Sequence, residues 1–435
     1  MPENRPPPQE ILLFVFVRCS VKRLKGLLFR HLPVLSWLPK YKVKENLLHD
    51  VFSGVSAGTI QVPQGMAFAL LANLPPVNGL YSSFFPLIPY FFMGTTPQIV
   101  LGTFAVLSFM VGTACLRLAP ESDFSHFNAT LNATIVDTDR MDEVRLGISG
   151  TLACLTGIIQ VRIIGFVAIY LSDSFIRGFL TAASLHFLTS MLKFIFGVKV
   201  SPHSGPLAII YVSDSFILRS NLPDTNVASL VFALVSIVVL IVVKELNARY
   251  HHKLPFLIPV EFIVVVVATA ISGPLHLPET YNMDIVGLIP LGFPAPILPT
   301  VSQWEELLST AFSLAIMGYI INLAISRILA TKHGYDVDAN QEMLALGCSN
   351  FFGSFFKIQV TCCALCVTKA VNTAGGKSQH NAMLFLYIFY LSLLFFYFQC
   401  VWVVTFLSTF LLGLPYGVAV GVGFSFLVVI FRTQL

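Results

Sequence analysis

Apolar runs separated by short polar stretches make up most of the chain. They fall at about 49–72, 80–93, 146–160, 163–197, 227–244, 257–273, 307–325 and 341–356. Several reach the ~17–25 residues a helix needs to cross about 30 Å of hydrocarbon. The run at 163–197 is long for one straight crossing and is read as one broken crossing. Two other apolar stretches are too short to span: the one opening at Gly102-Thr103-Phe104-Ala105-Val106-Leu107-Ser108, and the one following Thr361-Cys362-Cys363-Ala364-Leu365-Cys366. Each follows a short β-branched lead. A Gly-Thr start predicts a helix beginning there with Thr103 as its cap. Such an end carries a partial positive charge and attracts anions. A helix that stops inside a membrane is tolerated only against protein or a water-filled cavity. Two such interruptions in corresponding places of two halves point to an inverted-repeat transporter with its site between them. An ordinary buried helix over 101–117 is the alternative.

Composition narrows the class. Only 11% of the 435 residues are charged and 56% are hydrophobic, with a mean hydropathy of +0.80; soluble domains carry about 25% charged residues. The expectation is an all-α polytopic membrane protein. A net charge of +4 gives no reason to expect nucleic acid. The eight cysteines lie mostly in apolar segments, and the lone Cys363–Cys366 spacing has no second pair or His cluster. They read as small buried hydrophobes, not a zinc site or disulfide framework. No nucleophile–base pair, phosphate loop or metal cluster stands out, so neither an enzyme nor a cofactor is expected. The short apolar run at 11–17 lacks a cleavage site and is not read as a signal peptide.

The charges that remain act as topology signals. Residues 1–48 carry Arg18, Lys22, Arg23, Lys25, Arg30, Lys40, Lys42 and Lys44, which predicts a cytoplasmic N-terminal segment before a membrane domain over 49–435. The acid-rich loop at 119–144 carries two N-x-[ST] sequons, at Asn128 and Asn132, which predicts an extracellular face. Basic loops at 244–253 and after Ser326, with Arg327, Lys332 and His333, then fall inside. His251 and His252 read as solvated loop residues. Gln64 is a polar group within a span and needs either a cavity or a neighbouring helix as partner. Glu342, at the start of the 341–356 run, reads as a helix-start acid favoured by the dipole, with a proton carrier as the sharper alternative.

Several long motifs then carry a resemblance. Gln64-Gly65-Met66-Ala67-Phe68-Ala69-Leu70-Leu71, Pro75-Pro76-Val77-Asn78-Gly79-Leu80-Tyr81-Ser82-Ser83-Phe84-Phe85-Pro86, Gly102-Thr103-Phe104-Ala105-Val106 and Asn340-Gln341-Glu342-Met343-Leu344-Ala345-Leu346-Gly347 occur in order. So do Gly165-Phe166-Val167-Ala168-Ile169-Tyr170-Leu171-Ser172 and Gly375-Gly376-Lys377-Ser378-Gln379. The chain resembles solute carrier family 26, the sulfate permease (SulP) anion transporters. Lys332-His333-Gly334-Tyr335-Asp336-Val337-Asp338 and Lys244-Glu245-Leu246-Asn247-Ala248-Arg249-Tyr250 resemble its chloride-conducting branch. The resemblance implies two inverted repeats of seven segments, with strand-led half-helices as the third and tenth. It implies a core domain moving against a gate domain, a plasma-membrane location and a homodimer. The anion would sit between the half-helix starts, at Gln64, Phe68, Thr103, Phe104, Leu365 and Cys366. Backbone N–H groups at Phe104, Leu365 and Cys366 would hold chloride, Gln64 and Thr103 would offer neutral donors, and Phe68 and Phe104 would turn ring edges to it. Passive chloride transport, channel-like or by fast uniport, is the implied function. Exchange of chloride for bicarbonate, sulfate or oxalate is the alternative, and a non-transporting scaffold is the alternative of another class.

The chain departs from the family pattern in places. Cys366 stands where relatives carry Ser, and a thiol is the weaker donor. Gly94-Thr95-Thr96-Pro97-Gln98 lacks the cation many relatives place there. Val161-Arg162-Ile163-Ile164 marks a shortened stretch, and the pattern breaks off over 381–399 before resuming near Trp402. The family's cytoplasmic STAS domain does not follow Leu435. An incomplete gene model or an altered splice form is the expectation for these gaps.

Overall fold

In a computed structural model of the chain, the described residues are 31–128, 133–162, 226–250, 260–272, 277–281, 292–300 and 303–373, with isolated positions between them. They are mostly helical. In chain order the elements are α1 (Val34–Trp37), α2 (Val43–Leu71), α3 (Pro76–Phe84), α4 (Leu87–Met93), β1 (Leu101–Gly102), α5 (Ala105–Leu118), β2 (Ser125–Asn128), β3 (Ala133–Val136) and α6 (Thr138–Arg162). Then follow α7 (Val227–Tyr250), α8 (Val260–Ser272), α9 (Leu277–Tyr281), α10 (Trp304–His333), α11 (Ala339–Ser354), β4 (Cys362–Cys363) and α12 (Leu365–Thr373). Among the described residues, the helices over Thr138–Arg162, Val227–Asn247 and Trp304–His333 are long and apolar enough to cross a membrane.

Local chemistry explains where the expected boundaries moved. The second run is not one span over 80–93: it starts at Pro76, whose ring suits a first helical position, and breaks at Phe85–Pro86 into α3 and α4. Pro63 lies inside α2 without ending it. Arg327, Lys332 and His333 are not in a loop. They form the last turns of α10, which ends only where Gly334 takes φ +72°, a left-handed position that glycine enters without a side-chain clash. The loop expected over 119–144 holds a hairpin, Ser125 opposite Val136 and Asn128 opposite Ala133. Asn128 is the last residue of β2, and Asn132 lies outside the described residues, as do the expectations for 163–194, His251, His252 and 374–435.

The helices approach closely through glycine. A Cβ at Gly157 of α6 would stand 2.6 Å from the Phe351 nitrogen and 2.7 Å from the Gly347 oxygen of α11. Gly65 and Gly79 bring α2 and α3 together in the same way. Small residues at a crossing are how membrane helices gain packing contact without a hydrophobic driving force. The buried core that results is made by α2, α3, α5, α6, α10 and α11, with Leu107, Val111, Leu152, Leu314 and Leu346 at its centre.

Candidate functional site

Two stretches of non-helical backbone run into this core, 94–104 and 357–364. Each donor and acceptor there needs a partner, because buried unpaired backbone is costly and lipid supplies none. They first satisfy each other. β1 pairs antiparallel with β4, Leu101 opposite Cys363 and Gly102 opposite Cys362, and the Ala364 N–H donates to the Val100 oxygen at 2.9 Å. Polar side chains from the helices take the rest. Gln61 of α2 donates to the Leu101 oxygen at 3.1 Å, and the Thr368 Oγ1 of α12 accepts from the Val100 N–H at 3.2 Å. Tyr335 donates to Gln98 at 2.9 Å; its hydroxyl pKa lies above the usual tyrosine value, through burial first and the nearby Glu342 second.

The second lead is held likewise. Asn350 of α11 accepts from the N–H and Oγ1 of Thr361, at 2.9 and 3.0 Å, and donates to the Thr361 oxygen at 3.1 Å. The same amide donates to Gln160 of α6 at 3.1 Å. Ser149 donates to the Ile358 oxygen at 3.2 Å. Lys357, which turns the chain out of α11 into this lead, holds φ at 54°, a left-handed conformation that a non-glycine residue adopts only where its surroundings enforce it.

This double lead places the expected site residues. α5 begins three residues after the Gly102 pairing position and α12 two residues after Cys363, so the antiparallel pair holds both helix openings close to one strand ladder. The first intrahelical bonds are Ser108 N to Phe104 O at 2.9 Å and Thr368 N to Ala364 O at 2.8 Å. The N–H groups of Ala105, Val106 and Leu107, and of Leu365, Cys366 and Val367, come before any intrahelical acceptor. Both sets carry the partial positive charge of a helix start. Gln64 stands on α2, and its Nε2 donates to the Thr103 oxygen at 3.4 Å. Phe68, one turn further on, shares that face of a helix that packs against both α5 and α12. Thr103 is 1% exposed, Gln64, Phe68, Phe104 and Leu365 are half-buried, and Cys366 is exposed.

One expectation is corrected: Thr103 does not cap α5. Phe104 takes the N-cap position with extended backbone, φ −132° and ψ 133°, and no side chain caps the helix. The chain is still in its strand conformation at Thr103, so the hydroxyl lies a residue too early to reach the helix's free N–H groups. Glu342 is also more than an edge acid. It is fully buried and accepts from Tyr90, Thr95, Thr96 and Asn322. The holding residues Gln61, Gln160, Asn350 and Glu342 lie outside the expected anion-binding set. Their signal was present, as polar side chains inside otherwise apolar runs.

A buried core crossed by helices long and apolar enough to span a membrane defines a polytopic membrane protein. The profile of the Sulfate permease family matches residues 47–427, and the chain belongs to that family. It is 58% identical to Solute carrier family 26 member 9 of Xenopus tropicalis over 459 residues, covering 96% of this chain and 57% of the relative. To the human protein of the same name it is 56% identical, covering 96% and 58%. The solved murine Slc26a9 anion transporter in its inward-facing state superposes with a TM-score of 0.82 at 54% identity, over 100% of this chain and 77% of that one. The chain thus spans 57–58% of the length of these curated relatives.

Proposed function

We propose that this chain is the membrane part of an anion transporter and passes chloride passively, as a channel-like path or a fast uniport. The observation that carries the reading is the buried β1–β4 pair, which holds the two chain stretches that open into α5 and α12 against each other. α5 has 14 residues, about 21 Å at ~1.5 Å per residue, short of a ~30 Å hydrocarbon layer. We read α2–α6 and α10–α12 as parts of two inverted repeats, and α5 and α12 as their strand-led half-helices. The naming of the murine relative as an anion transporter supports this.

The seat follows from the residues. Chloride lies between the N–H groups opening the two helices, Phe104 on one side and Leu365 and Cys366 on the other. Gln64 and Thr103 add neutral donors, and Phe68 and Phe104 exclude water. Each helix end contributes only ~0.3–2 kcal/mol, so the anion is held weakly, which suits an ion that must leave again. The N-terminus lies in the cytoplasm, the hairpin loop faces outside with Asn128 and Asn132 glycosylated, and the protein works as a homodimer in the plasma membrane.

The test is whole-cell current in cells expressing the chain, in chloride, chloride-free and bicarbonate solutions, with surface biotinylation alongside. A chloride current indifferent to bicarbonate is expected. A current or pH change that requires bicarbonate, sulfate or oxalate on the opposite side replaces uniport by exchange. Surface expression without flux refutes transport in favour of a scaffold.

A further inference from the structure

We infer that Glu342 and Asn78 are positioning residues for the anion seat, each clamping the strand that leads into the half-helix of the other repeat. The inference rests on the transport reading for the seat and the repeats; the hydrogen bonds that make the clamps stand apart from it. Glu342 lies in the first turn of α11 and is 0% exposed. Its Oε1 accepts from the N–H and Oγ1 of Thr95, at 2.8 and 2.5 Å, and from the N–H and Oγ1 of Thr96, at 2.9 and 3.0 Å. Its Oε2 accepts from Tyr90 at 2.8 Å and Asn322 at 3.0 Å. These six donors exceed the roughly four lone-pair sites of a carboxylate, so its acceptor capacity is saturated, and all six are neutral. The clamp therefore joins α4, α10 and the lead into β1 at one point.

Asn78 does the converse. It lies in the first turn of α3 and is 2% exposed. Its Nδ2 donates to the oxygen of Lys357, and Ser82, one turn on, accepts from the Gln359 N–H at 3.0 Å. Thus α11 holds the lead into β1 and α3 holds the lead into β4. Because β1 and β4 pair with each other, slackening either clamp loosens both helix starts.

The role is hydrogen-bond acceptance, not charge or proton carriage, and the geometry says which variant keeps it. In Glu342→Gln, Oε1 retains its four bonds to Thr95 and Thr96. The new amide meets Asn322, whose Oδ1 has no partner and can turn to accept, and the Tyr90 hydroxyl, which can accept as well. Glu342→Ala removes all six of these hydrogen bonds.

The experiment labels the full chain in cell membranes with N-ethylmaleimide and reads each cysteine by peptide mass spectrometry. Cys362 and Cys363 are wholly buried in the β1–β4 pair, and the labelling of each after denaturation in detergent serves as its reference. Expected is a rise of about tenfold or more in the labelling rate of Cys362 and Cys363, relative to the denatured chain, in Glu342→Ala, since several buried hydrogen bonds are lost. Asn78→Ala gives a smaller rise of the same sign. Glu342→Gln stays within about twofold of the parent chain in labelling, in half-saturating chloride and in pH profile. Should Glu342→Ala fail to reach the membrane, Thr96→Val removes one hydroxyl from the clamp and gives the smaller rise. Unchanged labelling in Glu342→Ala or Thr96→Val overturns the inference. So does a Glu342→Gln chain that is as loose as the alanine variant or has a shifted pH profile. Labelling shifts in a chain without current leave the clamp standing and refute transport; current with no labelling shift does the reverse.

Discussion

Asn350→Ala removes the side chain on which the lead into β4 depends most. Asn350 is fully buried and makes four hydrogen bonds: two accepted from Thr361, one donated to the Thr361 oxygen and one to Gln160. Truncation strands the Thr361 N–H and C=O and the Gln160 Oε1 in the buried core, where Thr361 and Gln160 are 0% exposed. Side-chain hydrogen bonds between membrane helices average only ~0.6 kcal/mol, while a stranded buried group costs ~1–3 kcal/mol in proteins generally. Four bonds at the lower figure give about 2 kcal/mol and three stranded groups at ~1–3 kcal/mol each give about 3–9, which brackets the loss at about 2–9 kcal/mol. Unfolding of the purified chain in lipid bicelles, followed by intrinsic fluorescence, measures it. A double-mutant cycle sharpens the test. Gln160→Ala removes its own bond to the Ala315 oxygen, 3.1 Å long, and also the acceptor that Asn350→Ala would strand. The double variant is therefore expected to lose less than the two single variants summed, by about 0.5–3 kcal/mol. An Asn350→Ala chain within about 0.5 kcal/mol of the parent, or a strictly additive cycle, refutes the argument that this amide carries the lead.

Gly157→Leu drives α6 and α11 apart against backbone at 2.6–2.7 Å and is expected to cost at least ~1–3 kcal/mol in the same unfolding assay. Thr103→Ala leaves stability within about 0.5 kcal/mol of the parent because its hydroxyl caps nothing; a large loss would restore the capping role. Cys366→Ser gives a better donor at the start of α12 and lowers half-saturating chloride by about two- to tenfold, read from current against concentration. Arg145→Ala removes the buried guanidinium whose Nε and Nη2 donate to the Ala119 oxygen at the end of α5, at 3.2 and 3.1 Å, and lowers the melting temperature by the equivalent of ~1–3 kcal/mol.

Class and family were legible in the sequence because they rest on patterns local to the chain. Apolar runs of spanning length, a scarcity of charge and several ordered motifs need no knowledge of what touches what. The two places where a lead gives way to a short apolar helix were legible for the same reason, whereas Phe104, Leu365 and Cys366 at their starts came only from the family resemblance. Tertiary structure decided the rest. Pairing of β1 with β4 joins residues more than 250 positions apart, with Leu101 opposite Cys363, and no local propensity encodes a two-residue strand. Whether Thr103 or Phe104 closes the helix start depends on where that pairing releases the backbone. The apparent edge acid Glu342 proved to be an anchor because α4, α10 and the first lead converge on it. Sequence marks such a residue as polar among apolar neighbours; its partners are fixed only when irregular backbone, deprived of water, must take its hydrogen bonds from whichever helices the fold brings within reach.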